Sequence, residues 1–142
     1  MSKKFVKEKN WYGLEYVSVV LPISRVSGEH GELVDAKTWS SAELLVGREL
    51  ISRKYPIRGL ELRYLRKTLG YSLRDYSALL GLSQTAVMKW EKQTKRRLDP
   101  INEVAVRALC AQLLKLELRA WFDELRGCEK SAPFQVKVEE AA

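Results

Sequence analysis

The stretch from Ser72 to Gln93 constrains this chain more than any other. Ser72 and Ser83 each stand just before a run with helical spacing, where a hydroxyl accepts a hydrogen bond from an amide of the first turn. Gly81 closes the first run and supplies the backbone freedom that reverses the chain. Only Leu82 separates Gly81 from Ser83. Two short helices must therefore meet at a sharp turn. The first helix carries Leu73, Tyr76, Leu79 and Leu80. Leu82, Val87 and Trp90 plug the second into the core, and Ser77 is small enough to let the two cross closely. Gln84, Thr85, Met88 and Lys89 then project from the side opposite Val87 and Trp90.

The flanking segments carry similar punctuation. Leu60, Leu62, Leu65 and Leu69 space a preceding helix, closed by Gly70. After the basic run Lys95-Arg96-Arg97, Pro100 suits the first turn of another helix. Ile101, Val104, Ala105, Ala108 and Leu109 are its expected inner stripe. Leu118, Trp121, Phe122 and Leu125 repeat the spacing, so the helix is expected to continue or bend slightly before Gly127. This second stripe is either intramolecular core or the seam of a homodimer.

Upstream, residues 1–10 are Lys-rich and expected to fray. Trp11 to Leu21 reads as a strand ended by Pro22, with an extension over Ile23 to Val26 left open, Ser27 to Gly31 as a turn, and Leu33-Val34 as a short return strand. Ser40 and Glu43 have capping-box spacing for a helix to about Lys54, stopped by Tyr55-Pro56. The expected division is an N-terminal hairpin plus helix (1–55), a helical domain with its extension (56–127) and a weakly patterned tail (128–142).

The charge distribution is uneven. Between Ser52 and Arg107 stand thirteen Lys/Arg and five Asp/Glu, so that segment carries more than the whole net charge of +7. Such a field favours a polyanionic partner. Cys110 and Cys128 are too far apart for a zinc pattern, and Cys110 reads as a core thiol in a reducing, cytoplasmic setting. No apolar run approaches a membrane span, and the first residues lack the apolar core of a signal peptide. His30, the one histidine, stands in the expected turn. A Ser/His/Asp or Cys/His centre would have to use it, and no P-loop or Rossmann glycine pattern occurs, so neither an enzyme nor a cofactor is expected.

Leu65-Arg66, Gly70-Tyr71-Ser72, Leu79-Leu80-Gly81-Leu82-Ser83 and Val87-Met88-Lys89-Trp90-Glu91 keep a spacing that resembles the XRE-type, or lambda-repressor-like, helix-turn-helix family from about Ile57 to Leu114. The resemblance implies a mainly α fold, with a five-helix DNA-binding domain, here preceded by a small β-hairpin and a helix. It also implies palindromic operators read by a dimer, and a structural pair between Arg66 and Glu91. On this reading Gln84, Thr85, Met88 and Lys89 contact bases, because an amide pairs with adenine and a Lys reaches guanine acceptors. Ser72, Arg74, Ser83, Lys92, Lys95, Arg96 and Arg97 contact phosphates. Leu73 stands where the family often carries a phosphate-touching Gln, and Arg74 is expected to replace it. A looser, architectural likeness is to antitoxin regulators of the MqsA kind. It implies a toxin-like protein partner for the N-terminal region; zinc does not carry over, since no CxxC pair is present.

Overall fold

The computed structural model describes residues 4–23, 25–27, 31–117 and 130–139. The chain divides into two compact units, Met1–Val46 with Ala132–Ala142, and Gly47–Ser131. No described helix is long and apolar enough to cross a membrane.

In the first unit, β1 (Phe5–Trp11) and β2 (Leu14–Pro22) form an antiparallel hairpin. Its loop is Tyr12-Gly13, with φ of 51° and 84°. Two consecutive positive φ values are what a two-residue hairpin turn of the right twist requires. β2 is the central strand and buries Leu14, Val17, Val19 and Leu21. On its other side runs β5 (Phe134–Lys137), parallel to it, from Val17 opposite Phe134 to Val20 opposite Lys137. β3 (Arg25–Ser27) and β4 (Gly31–Leu33) make a separate two-stranded sheet. α1 (Ala36–Ser52) follows, and the division between the units falls within it. Trp39 Nε1 donates to Tyr12 Oη at 2.9 Å, and its ring lies 4.7 Å from that of Trp11.

The expected fold class, helical with a small β-hairpin ahead of it, is thereby corrected. Strands come first, helices follow, and a third strand near the C-terminus completes the sheet. Several local expectations changed for physical reasons. Residues 5–11 do not fray, because an edge strand tolerates Lys and Glu on its outer side and takes its order from its neighbour. Leu33 does lie in a return strand, paired with Arg25, but the two strands form their own sheet, and the expected strand from Trp11 is divided by the Tyr12-Gly13 turn. Phe134–Lys137 has little local signal, because a short parallel strand is specified by its distant partner. α1 also begins earlier than the Ser40 cap suggested; Trp39 N already donates to Asp35 O at 2.9 Å.

The second unit holds α2 (Gly59–Thr68), α3 (Leu73–Leu80), α4 (Gln84–Lys92) and α5 (Pro100–Leu113). Ser72, Ser83 and Asp99 cap the last three, accepting from Asp75 N at 3.1 Å, Ala86 N at 3.1 Å and Asn102 N at 3.0 Å. Gly81 ends α3 at φ 71°, the left-handed turn that sends the chain into α4. The core comprises Ile57, Leu62, Leu65, Tyr76, Val87, Leu98, Val106 and Cys110 among others. Cys110 Sγ lies 3.1 Å from Tyr76 Oη, and burial pushes its pKa up to about 11, which makes it an inert core thiol.

α5 departs from its expected orientation. Ile101 is 73% exposed, and Ala105 and Ala108 also face outward. The buried side carries Glu103, Val106, Arg107 and Cys110. A second apolar stripe, Val106, Cys110 and Ala111, faces inward together with the Glu103–Arg107 pair. Nor does α5 run on unbroken. It ends at Leu113, with Lys115 at φ 57° and Leu116 N bonded back to Ala111 O at 2.8 Å. Arg48 donates to the Leu114 carbonyl at 2.7 Å, placing a cation where helix carbonyls lack partners.

Two stability predictions arise here. Ser77 is 2% exposed and its hydroxyl has no hydrogen-bond partner among the described residues. Ser77→Ala should therefore raise unfolding free energy by about 1 kcal/mol in a urea titration; a loss would show that the hydroxyl is satisfied. Asp99 has a depressed pKa, chiefly because Asn102 N donates to its carboxylate. A depressed folded pKa gives stability that is present above the ordinary carboxylate pKa and lost as pH falls through the folded value. Asp99→Asn, which keeps a capping oxygen, should flatten that part of the acid dependence below about pH 4, as read by thermal melts across the window.

Candidate nucleic-acid interface

The exposed side of α4 gathers one set of side chains. Gln84, Thr85, Met88, Lys89 and Lys92 are all exposed, whereas Val87 and Glu91 are buried. Period 3.6 places 84, 85, 88 and 92 along one face. The Ser83 cap keeps the start of that face at the surface. Ser72 and Ser83 use their oxygens as cap acceptors, which leaves each hydroxyl proton available to an acceptor outside the protein. Arg74, in the first turn of α3, is exposed as well.

Arg66 locks α2 to α4. Its Nε and Nη2 donate to the two oxygens of Glu91 at 2.7 and 2.9 Å, and Nη1 donates to the Tyr71 carbonyl at 3.0 Å. A two-pronged pair this well buried fixes the helix rotation as well as its position. Glu91 is thereby held inward, and the polar side of α4 is held outward.

The basic loop after α4 is more rigid than its composition suggests. Gly59 N donates to Arg96 O at 3.1 Å, Leu60 N to Thr94 O at 3.3 Å and Leu98 N to Ile57 O at 2.9 Å. These bonds fasten residues 94–98 to the start of α2. The fit depends on Gly59: a Cβ there would stand 2.1 Å from the Trp90 carbonyl oxygen and 2.6 Å from that of Gln93. Lys95 and Arg96 remain exposed on this loop. Arg97 does not share their situation. Its Nη2 donates to Glu103 at 2.9 Å and its Nε reaches both oxygens at 3.2 Å. It holds the loop onto α5, so a structural role comes before any phosphate contact.

Glu103, 1% exposed, is a hub that sequence reading missed. One of its oxygens accepts from Ile57 N at 2.6 Å, and Arg107 Nη2 approaches the same oxygen at 3.4 Å. Arg107 also donates to the Tyr55 carbonyl. At the other end of the same segment, Arg58 pairs with the buried Glu61 at 2.7 Å. The signal was the charge itself: Glu103 and Arg107 stand four apart in a helix whose neighbours are apolar.

Trp90 is half-buried rather than enclosed in the core as expected. With Lys89, Gln93, Arg96, Arg97 and Asp99 it lines a recess of about 360 Å³ at the C-terminal end of α4. The expected dimer residues Leu118, Trp121, Phe122 and Leu125, and His30 and Cys128, lie outside the described residues. Among the described residues no group of three metal-ligating side chains occurs. Comparison with protein-family models, with curated proteins and with solved structures finds no match.

Proposed function

We propose that residues 47–131 read double-stranded DNA in a sequence-specific manner, as a non-enzymatic transcriptional regulator of the repressor or autoregulator type. The observation that carries this is the outward face of α4. Polar and cationic side chains that can address base edges share one side of a rigidly locked helix, with Lys95 and Arg96 on a fastened loop beside it. A helix presented in this way suits the major groove. Gln84, Thr85, Met88 and Lys89 address bases; Ser72, Arg74, Ser83, Lys92, Lys95 and Arg96 address phosphates. Two protomers would read half-sites about 34 Å apart.

Selection of bound duplexes from a random pool, followed by footprinting, tests the reading. Enrichment of a symmetric site with protected major grooves is expected. Gln84→Ala should cost about 1–3 kcal/mol at one base position and relax preference there. Arg96→Ala should weaken all duplexes alike and lower the salt slope by about one. A pool that yields no enriched sequence at physiological salt rejects specific reading.

A second reading, an antitoxin-like module that binds a partner protein through its N-terminal region and autoregulates its operon, finds support in Leu44 and Leu45, 43% and 38% exposed side by side on α1. Stoichiometric co-purification of a second small protein, abolished by Leu44→Glu, would favour it.

A further inference from the structure

We propose that the recess of about 360 Å³ at the end of α4 binds a small planar organic anion, with its ring against Trp90 and its acid group between Lys89 and Arg96, and that this ligand competes with duplex binding.

The volume falls within the range of about 300–1,000 Å³ that small-molecule sites occupy. The balance of donors and acceptors sets the chemistry. Both Asp99 oxygens are engaged by Asn102, at 3.0 and 2.6 Å. The Arg97 guanidinium is engaged by Glu103. Lys89 and Arg96 are exposed and have no ion-pair partner among the described residues. Asp99 keeps its charge, but the two cations Lys89 and Arg96 outweigh it beside a half-buried tryptophan, which favours an occupant with acceptors and a flat apolar face.

A ringless anion fits less well. The C-terminal end of a helix carries partial negative charge, which offsets part of the field of Lys89 and Arg96. Stacking on Trp90 contributes where charge alone falls short. The backbone of one wall is fixed, because the Arg96 carbonyl accepts from Gly59 N, so binding orders the Lys89 and Arg96 side chains and not the loop.

Lys89 also belongs to the outward face of α4. A ligand that holds its ammonium withdraws it from a duplex, and by reciprocity the duplex weakens the ligand by the same factor. This regulatory consequence rests on the duplex-reading proposal; the binding of the anion does not.

The test is titration of the full chain with salicylate and, separately, with adenosine monophosphate, followed by calorimetry and tryptophan emission, with inorganic phosphate as the ringless control. Saturable binding of one ring-bearing anion with Kd below about 1 mM is expected. The anion that binds identifies the source, aromatic acid or nucleotide. Inorganic phosphate should bind at least about tenfold more weakly, and Arg96→Ala and Lys89→Ala should each raise Kd about tenfold or more. Trp90→Phe should remove most of the emission change. Absence of saturable binding of either anion, or binding unchanged in both cation variants, overturns the site. Duplex affinity measured with and without saturating ligand tests the competition, and an unchanged duplex Kd overturns it. A chain that binds duplex but neither anion retains the proposed function and loses this inference. A chain that binds the anion but no duplex retains the site and loses the function.

Discussion

Glu103→Ala is expected to lower the unfolding free energy by about 3–5 kcal/mol, the range for removing one partner of a buried ion pair. The reason lies in what the carboxylate leaves behind. Ile57 N loses the acceptor that it reaches at 2.6 Å, and Arg97 loses the oxygens that hold the loop to α5. Arg107, 0% exposed, loses the carboxylate beside it. A buried cation deprived of its counter-charge is costly because no water replaces it. Glu103→Gln keeps acceptor capacity without charge and should fall between wild type and Glu103→Ala. Urea unfolding followed by circular dichroism checks the series. A loss below about 1 kcal/mol for Glu103→Ala, the size of a surface pair, would show that the cluster relaxes into solvent and is not a structural hub.

Gly59→Ala should also be strongly destabilising, by about 3 kcal/mol, at the upper end of overpacking costs. The sign makes this informative. Gly59 opens α2, and helix propensity alone predicts that Ala there gains about 0.5–1 kcal/mol. The structure predicts the reverse, because the added Cβ would meet two backbone carbonyl oxygens at 2.1 and 2.6 Å. Backbone cannot rotate away as a side chain can. Relief requires that α2 and the loop separate, which breaks the bonds from Gly59, Leu60 and Leu98. At a temperature where the variant is folded, Arg96 and Lys95 should be displaced. Affinity for every duplex should then fall at least about tenfold, with base preference retained. A variant as stable as wild type would mean that the loop does not pack against Gly59.

The helix starts were legible because caps are local. A hydroxyl or carboxylate and the amide that it accepts from lie within one turn, as Ser72, Ser83 and Asp99 show. The outward face of α4 was legible for the same reason, since Val87 marked its inner side. What was not legible depends on distant partners. β1 reads as a polar segment until β2 is laid beside it, and β5 reads as a tail until Val17 and Val20 pair with it. The orientation of α5 was misread because the helix carries two apolar stripes and the one with Val106, Cys110 and Ala111, flanked by Glu103 and Arg107, is buried. Ile101 is thereby turned out. Arg97 looked like its neighbours in sequence and differs from them only through a residue on another element. Gly59 carried no signal at all, since its importance lies in the carbonyls of Trp90 and Gln93.

The pairing of β2 with β5 has a consequence for how the chain is made. Residues 47–131 leave the ribosome between these two strands, so the helical unit can acquire its structure while the sheet still waits for its outer member. The parallel partnership closes a loop of more than a hundred residues, from Val17 to Phe134, which slows its formation. A nascent chain halted before Phe134 would leave one side of β2 uncovered and open to a foreign strand.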